Sequence, residues 1–355
     1  VRWRRIIVFG SAGLLVVAAA VGVYSYGSFF GWWARPTVHD APEAKPAAVE
    51  PVASGLRLPF DLAFLPDGSA LVTERETGRL RKVTADGQLT EVRTIREIAE
   101  PTKQAGLQGV AVSPSYERDG WVYVYYTTAK DSRVGRLRLD SAAPPEPILT
   151  GIPSGEIHNG GRIRFGPDGM LYVTTGEADD RSRAQDRDDL GGKILRVTSA
   201  GKPAPGNPIE GSPVYSWGFR DPQGLAWDEK GQLYVSEFGH HNLDELNRVE
   251  PGGNFGWPEV EGTGGESEFT DPIATWKPAD ASPSGMTYHD GRIWVAALRG
   301  ERLYRIATDG SSAEQLLTGQ YGRLRLVTEA PDGSLWVLTN GRTGPDYDLI
   351  LRVTP

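Results

Sequence analysis

Between Phe60 and Gly341 the chain repeats one pattern six times: an apolar stretch, a turn built on Pro-Asp-Gly or a close variant, then an aromatic or β-branched stretch. The copies are FDLAFLPDGSALVTE from Phe60, LQGVAVSPSYERDGWVYVYYT from Leu107, GRIRFGPDGMLYVTTGE from Gly161, QGLAWDEKGQLYVSEFG from Gln223, SGMTYHDGRIWVAALRG from Ser284 and RLVTEAPDGSLWVLTNG from Arg325. Alternating apolar residues on either side of such a turn read as a β-hairpin. In the third copy, Ile163 and Phe165 alternate before Pro167-Asp168-Gly169, and Leu171 and Val173 after it. Further strand-like segments follow most copies: GRLRKV, GKILRV, DELNRV, ERLYRI and LILRV. Spacings of roughly 40 to 60 residues suit one four-stranded propeller blade per copy. A single such sheet cannot bury both faces, so the blades must stack around an axis. The expectation is an all-β, six-bladed β-propeller with four-stranded antiparallel blades, over residues 54–355, with the ring closed by pairing of the chain ends.

The 355 residues carry 39% hydrophobic side chains, enough for a sizeable core in one large domain. Gly 44 and Pro 26, with Trp 10 and Tyr 13, suit many short strands joined by turns. A net charge of -8 leaves no broad basic face, so nucleic acid is not an expected partner. The absence of cysteine excludes disulfides, zinc-thiolate sites and a thiol nucleophile.

Residues 1–35 hold a different kind of segment. Arg2, Arg4 and Arg5 precede a run from Ile6 to Trp33 without a charged side chain, closed by Arg35. At roughly 1.5 Å per helical residue, such a run crosses a bilayer. The leading arginines place the N-terminus inside and the rest of the protein outside. Ala18-Ala19-Ala20 would allow cleavage as a signal peptide. Continuation of the apolar and aromatic residues through Tyr24, Phe29, Phe30, Trp32 and Trp33 favours an uncleaved anchor. Residues 36–53, rich in Pro, Ala and Glu without an apolar period, read as a tether.

Propellers host ligands at one end of the central channel, on loops from several blades, so candidate site residues lie just before or after the repeated strands. There stand Gln104, His158, Arg220, Gly239-His240, Arg299, Arg323 and Arg325. One histidine among arginines drawn from distant parts of the chain suggests a pocket for a planar polyanion, because guanidinium groups bind carboxylates in pairs and stack on flat rings. Arg323 and Arg325, two apart on a strand, face the same side. His240 and His241, adjacent on a strand, would point to opposite faces and make a poor transition-metal site. The acidic run Glu177–Asp189 reads as a solvated loop near the mouth. No Gly-rich nucleotide fingerprint follows a strand in the exported region, and no Gly-x-Ser-x-Gly turn appears.

HNGGRIRFGPDG, SWGFRDPQGLAWD, SEFGHHNLDELNRVEPGGNFGWPEVEG, SPSGM and GRLRLVTEAPDGSLWVLT occur in that order. In this the chain resembles the glucose/sorbosone dehydrogenases that use pyrroloquinoline quinone, the soluble aldose sugar dehydrogenase type of quinoprotein, from about Gly55 to Val353. The resemblance implies oxidation of an aldose at its anomeric carbon to a lactone, by hydride transfer to the quinone. His158 would be the general base, its unperturbed pKa of about 6.5 lying near working pH. Arg220 would hold the reactive quinone carbonyl and stabilise its developing charge. Asp221 stands where asparagine is usual, Arg299 where soluble relatives have lysine, and Arg323 and Arg325 match the pair that holds the cofactor carboxylates. Gln104 aligns with a substrate-contacting glutamine, while Ile157 replaces an aspartate that contacts sugar in some members. The backbone carbonyls of Gly239 and His240, the latter replacing proline, match a calcium that bridges to the quinone. Glu245 and the carbonyl of Phe255 match a second, structural calcium. The electron acceptor of an anchored enzyme of this kind would be a membrane redox carrier. Two rivals share the expected fold: a calcium-dependent lactonase using carboxylates such as Glu74 or Glu237, and a non-enzymatic sugar or protein binder.

Overall fold

A computed structural model describes Val38 and residues 41–99, 103–264, 267–341 and 348–355. These residues form six four-stranded antiparallel sheets, as the repeat predicts. In chain order the blades are β2–β5 (Pro59–Phe64, Ala70–Glu74, Arg79–Val83, Leu89–Thr94), β6–β9 (Leu107–Val112, Trp121–Thr127, Ser132–Arg138, Glu146–Ile152) and β10–β13 (Ile163–Phe165, Leu171–Thr175, Lys193–Val197, Val214–Trp217). Next come β14–β17 (Pro222–Trp227, Leu233–Glu237, Asp244–Val249, Ala274–Trp276) and β18–β21 (Pro283–His289, Arg292–Ala297, Arg302–Ala307, Ala313–Leu316). The sixth blade combines β22–β24 (Leu324–Glu329, Leu335–Thr339, Asp348–Thr354) with β1 (Ala48–Leu56).

Each repeat is the first hairpin of a blade. Ile163 pairs with Val173 and Phe165 with Leu171, so the apolar residues of the third copy share one face. Buried clusters span neighbouring blades: Tyr123, Tyr125 and Val134 of the second pack with Leu171, Val173 and Leu195 of the third. Stacking, rather than any single sheet, supplies the core.

Of the expected tether 36–53, ring closure corrects the part from Ala44 onward. β1 is the outermost strand of the last blade, pairing antiparallel with β24 from Ala48↔Thr354 to Leu56↔Asp348. Ala44 N already donates to Gln315 O at 2.7 Å. The propeller therefore begins before residue 54, and the chain ends do close the ring. Pro51 lies at a register break in this edge strand, where a missing N–H is tolerated. The anchor expected over Ile6–Trp33 lies outside the described residues. Among the described residues no helix is long and apolar enough to cross a membrane.

The inner strands deliver charge to the axis. Asp61 is fully buried and accepts from Val110 N at 3.0 Å and Arg164 Nη2 at 2.6 Å, with Arg162 Nη1 at 2.7 Å. Arg162, 1% exposed, also donates to Phe60 O and Gln223 O, both at 3.0 Å. One ion cluster thus joins the inner strands of four blades. Its two guanidinium groups hold the Asp61 carboxyl below the usual range despite the opposing effect of burial, which is the largest single influence on it.

Deleting everything before Arg57 removes β1, including fully buried Leu56, and is expected to lower the unfolding free energy by at least about 3 kcal/mol in urea titration. Stability equal to that of a chain starting at Ala41 would mean that this segment is a tether after all.

Candidate active site

The start of an inner strand and the end of the second strand lie at the same end of an antiparallel blade, so the loops flagged in the sequence meet at one mouth. His158 precedes β10 in a left-handed conformation, φ 56°. Its backbone is held from two sides: its N–H donates to Gln104 Oε1 at 2.7 Å, and its carbonyl accepts from Ala178 N at 3.0 Å. Gly176 passes so close beneath that a Cβ there would collide with the His158 carbonyl.

The imidazole is gripped at both nitrogens. Nδ1 lies 2.5 Å from Glu177 Oε1, and Nε2 lies 2.7 Å from Arg220 Nη2. A guanidinium can only donate, so Nε2 carries the lone pair and Nδ1–H donates to the carboxylate. This is the tautomer of a base with its lone pair on Nε2, where Arg220 now donates, and with a carboxylate on Nδ1 ready to stabilise the imidazolium. The structure here corrects the reading of the acidic run. Glu177, its first residue, is 1% exposed rather than solvated, and Glu177 N also donates to Arg220 O at 2.9 Å. His158, Glu177 and Asp179 are the one group of three potential metal-ligating side chains among the described residues, and two of the three are already engaged with each other.

Arg220, 9% exposed, donates through Nη1 to Gly239 O at 2.5 Å, and its guanidinium lies 5.5 Å from the centre of the Trp257 ring. It makes no ion pair with Asp221. That residue is fully buried, and Oδ1 accepts from Gly160 N and Gln223 Nε2, both at 2.9 Å, while Oδ2 has no partner. Burial raises the Asp221 carboxyl, with His158, Gly160 N–H and Arg220 opposing.

Beside these groups opens a cavity of about 240 Å³ whose walls include Phe60, Arg75, Lys103, Arg323 and Arg325. Among the described residues no carboxylate lines it. Gln104 and Ile157 line it too, although the Gln104 carbonyl oxygen is committed to the backbone at His158 and Asn159. Arg325 reaches Gln223, Ser284 and Asn340 only at 3.4 Å each, and its Nε is buried without a partner. Burial, then Arg75, Arg162 and Arg323, push its pKa well down; burial, then Arg299, lower that of Arg323 against Glu301. Four cations gathered on one part-buried wall, with Arg325 left short of acceptors, form a receptor for a polyanion. Phe60 lies 5.1 Å from the Arg325 guanidinium and adds a flat apolar wall. Arg299 sits exposed at the rim, outside the cavity lining, where its charge acts on Arg323 and Asp244.

The residues expected to hold metal make specific contacts. The Gly239 carbonyl, expected to face calcium, accepts instead from Arg220. His240 and His241 lie in a bend rather than on a strand, and their rings sit 3.6 Å apart instead of on opposite faces. His240 Nε2 lies 2.9 Å from Arg181 Nη2; burial, then Arg220, His241 and Arg181, lower its pKa. Glu245 pairs across the sheet with Glu237, and Asn247 Nδ2 bridges their carboxylates at 3.1 and 3.3 Å. Burial and the neighbouring carboxylate push Glu237 well up, and burial pushes Glu245 to about 7. Asn247 Oδ1 is buried without a partner. Hard oxygen donors with excess negative charge suit a calcium ion. Phe255, expected to offer its carbonyl, stacks its ring on Phe219 at 4.6 Å. Glu74, a rival candidate, is held by Arg79 at 2.9 Å and Arg81 at 3.1 Å in the first blade.

Residues 56–352 match the family model described as Glucose / Sorbosone dehydrogenase. The chain belongs to the glucose/sorbosone dehydrogenase family. It is a dehydrogenase of the quinoprotein type. Among solved structures it is similar to the PQQ-bound form of the aldose sugar dehydrogenase from Streptomyces coelicolor: 47% identity, TM-score 0.82, 88% of this chain and 100% of that one covered. The aldose sugar dehydrogenase of Escherichia coli is 28% identical over 91% of this chain and 95% of its own. Quinoprotein glucose dehydrogenase B of Acinetobacter calcoaceticus is 30% identical over 61% of this chain and 54% of its own. The family thus agrees with the resemblance read from the motifs.

Glu177→Gln keeps the shape but exchanges the charge that steadies the imidazolium, and kcat should fall by about 10²-fold in steady-state assays; an unchanged kcat would remove Glu177 from the site. Glu245, raised from 4.5 to about 7, binds a proton on folding between those values. The stability it contributes is complete below pH 4.5 and lost as pH rises through 7. Thermal melts in chelator should therefore show Glu245→Gln gaining on the parent as pH rises from about 5 to about 8, and calcium stabilising the parent more at the upper end of that range than at the lower.

Proposed function

We propose that this protein oxidises aldoses at the anomeric carbon to lactones, using pyrroloquinoline quinone held in the axial cavity. The observation that carries this reading is the cavity lined by Arg75, Lys103, Arg323 and Arg325, with no carboxylate among its described lining residues, beside an imidazole in its base tautomer. A flat tricarboxylate fits what that lining lacks: anions for Arg323 and Arg325, and a surface to lie against Phe60. When bound, the quinone would supply an acceptor for the hydride, which carries both electrons of the oxidation.

The chain's own groups do the rest. His158 Nε2 takes the proton of the anomeric hydroxyl as the carbon-bound hydrogen leaves with its electron pair. Glu177 keeps that nitrogen unprotonated by holding the proton on Nδ1, and it steadies the imidazolium that forms. Arg220, now 2.7 Å from Nε2, presents a fixed cation to the oxygen on which charge grows. Moving it off the Gly239 carbonyl would also release that oxygen for a cation, so Gly239 and His240 could hold calcium near the cofactor while Glu237, Glu245 and Asn247 hold a second. The run Ile6–Trp33 would anchor the enzyme with its propeller outside the membrane, passing electrons to a membrane redox carrier.

The test is dye reduction by the chain loaded with calcium and the quinone, over a panel of aldoses. Turnover is expected for the parent, and His158→Ala should lose at least about 10³-fold while still binding the quinone. Arg325→Met should weaken quinone binding by about 10²-fold in fluorescence titration. Hydrolysis of lactones without quinone, and no dye reduction, would overturn the assignment.

A further inference from the structure

Lys193 is the second-largest charged side chain among the fully buried residues, and nothing in the proposed chemistry uses it. It opens β12 in the third blade, at the foot of the loop from Gly176 to Gly192 that crosses from β11. Its ammonium points into that loop and donates to three carbonyls: Gly191 O at 2.5 Å, Arg183 O at 2.7 Å and Ala184 O at 3.2 Å. Arg183 and Ala184 end the short 3-10 turn Arg181–Ala184, whose last carbonyls would otherwise lack donors. Three donors meet three acceptors, and the positive charge is balanced by carbonyl dipoles, with Asp186 and Asp189 acting at longer range. Burial lowers its pKa to about 8, against those two carboxylates, so the group is charged at neutral pH.

The loop fastened in this way touches both catalytic groups. One end carries Glu177, bound to His158 Nδ1, and Ala178, whose N–H holds the His158 carbonyl. The body and the other end grip the segment leading to Arg220: Gly218 N donates to Ala184 O at 3.0 Å, Phe219 N to Gly192 O at 3.2 Å, and Glu177 N to Arg220 O at 2.9 Å. The Ala184 carbonyl is shared between Lys193 Nζ and Gly218 N. A displacement of the 3-10 turn is thus transmitted to Arg220 through one oxygen and to His158 through Glu177.

We propose that Lys193 is a positioning residue for the reaction, setting the distance between His158 and Arg220 by fastening the 176–192 loop. The inference rests on the proposed dehydrogenase reading for its kinetic consequence, while its geometric half stands without it. Full-length Lys193→Met, in detergent and loaded with calcium and quinone, should lose at least about tenfold in kcat, with KM for the aldose changed less than about threefold. In the unloaded protein, 15N-histidine labelling of the five histidines should show the downfield His158 Nδ1–H signal of the parent broadened or lost in the variant. A variant that melts cooperatively yet keeps both kcat and that signal overturns the proposal. If Lys193→Met does not fold, Lys193→Gln, which keeps two N–H donors, is read by the same two measurements. Should neither fold, amide exchange in the parent decides: peptides covering 176–192 and 214–221 should open at one common rate, and separate rates overturn it. A parent that turns over no aldose sinks the dehydrogenase reading alone, because the His158 signal still reports on Lys193.

Discussion

The buried ion cluster at the axis is what the rest of the molecule depends on. A propeller brings six inner strands together, and at their meeting point backbone groups and side chains leave water without a sheet to pair with. Asp61, Arg162 and Arg164 meet that demand by using charge as a crosslink between blades. Removing water from these ions is costly, and the geometry offsets it only because nearly every lone pair and N–H is used. Arg162 keeps one buried nitrogen without a partner, and it contributes to the low pKa of Arg325. The surroundings of Arg325 are therefore already positive before Arg323 is added, and the appetite for an anion is built into the way the ring is held together.

That excess charge explains the division of labour around the mouth. Arg325 is left with long contacts and Arg323 stands beside it, whereas Arg220 and His158 are engaged with each other and with Gly239 and Glu177. The first pair is poised to receive a ligand, and the second to be rearranged by one. Ligand binding would separate an arginine from a histidine that it now caps, freeing the lone pair where it is needed.

Much of this was legible in the sequence, and the parts that were not share a physical cause. The sixfold hairpin repeat carries the architecture because alternation and turn residues are local. The position of His158 and the arginines could be read because they fall at fixed places relative to those hairpins. Glu177 was hidden at the head of an acidic run, and charge runs are solvated unless something elsewhere in the fold claims one member. Lys193 and Asp61 sit in strands among apolar neighbours, where nothing local tells a buried charge from an exposed one. β1 was missed because an edge strand with Pro51 and exposed Glu50 has little alternation to show. The bend at His240 overrode the strand-based argument about adjacent histidines.

The strand that closes the ring is contributed from the opposite end of the chain to its partner. β1 is among the first parts of the propeller to be synthesised and β24 is the last. For a polypeptide made from its N-terminus, residues 48–56 must wait through five complete blades before the edge they complete exists. Until then the leading segment lacks the strand it pairs with, and joining β1 to β24 closes a loop spanning nearly the whole domain. Loss of the last few residues would thus undo the beginning of the fold as surely as its end.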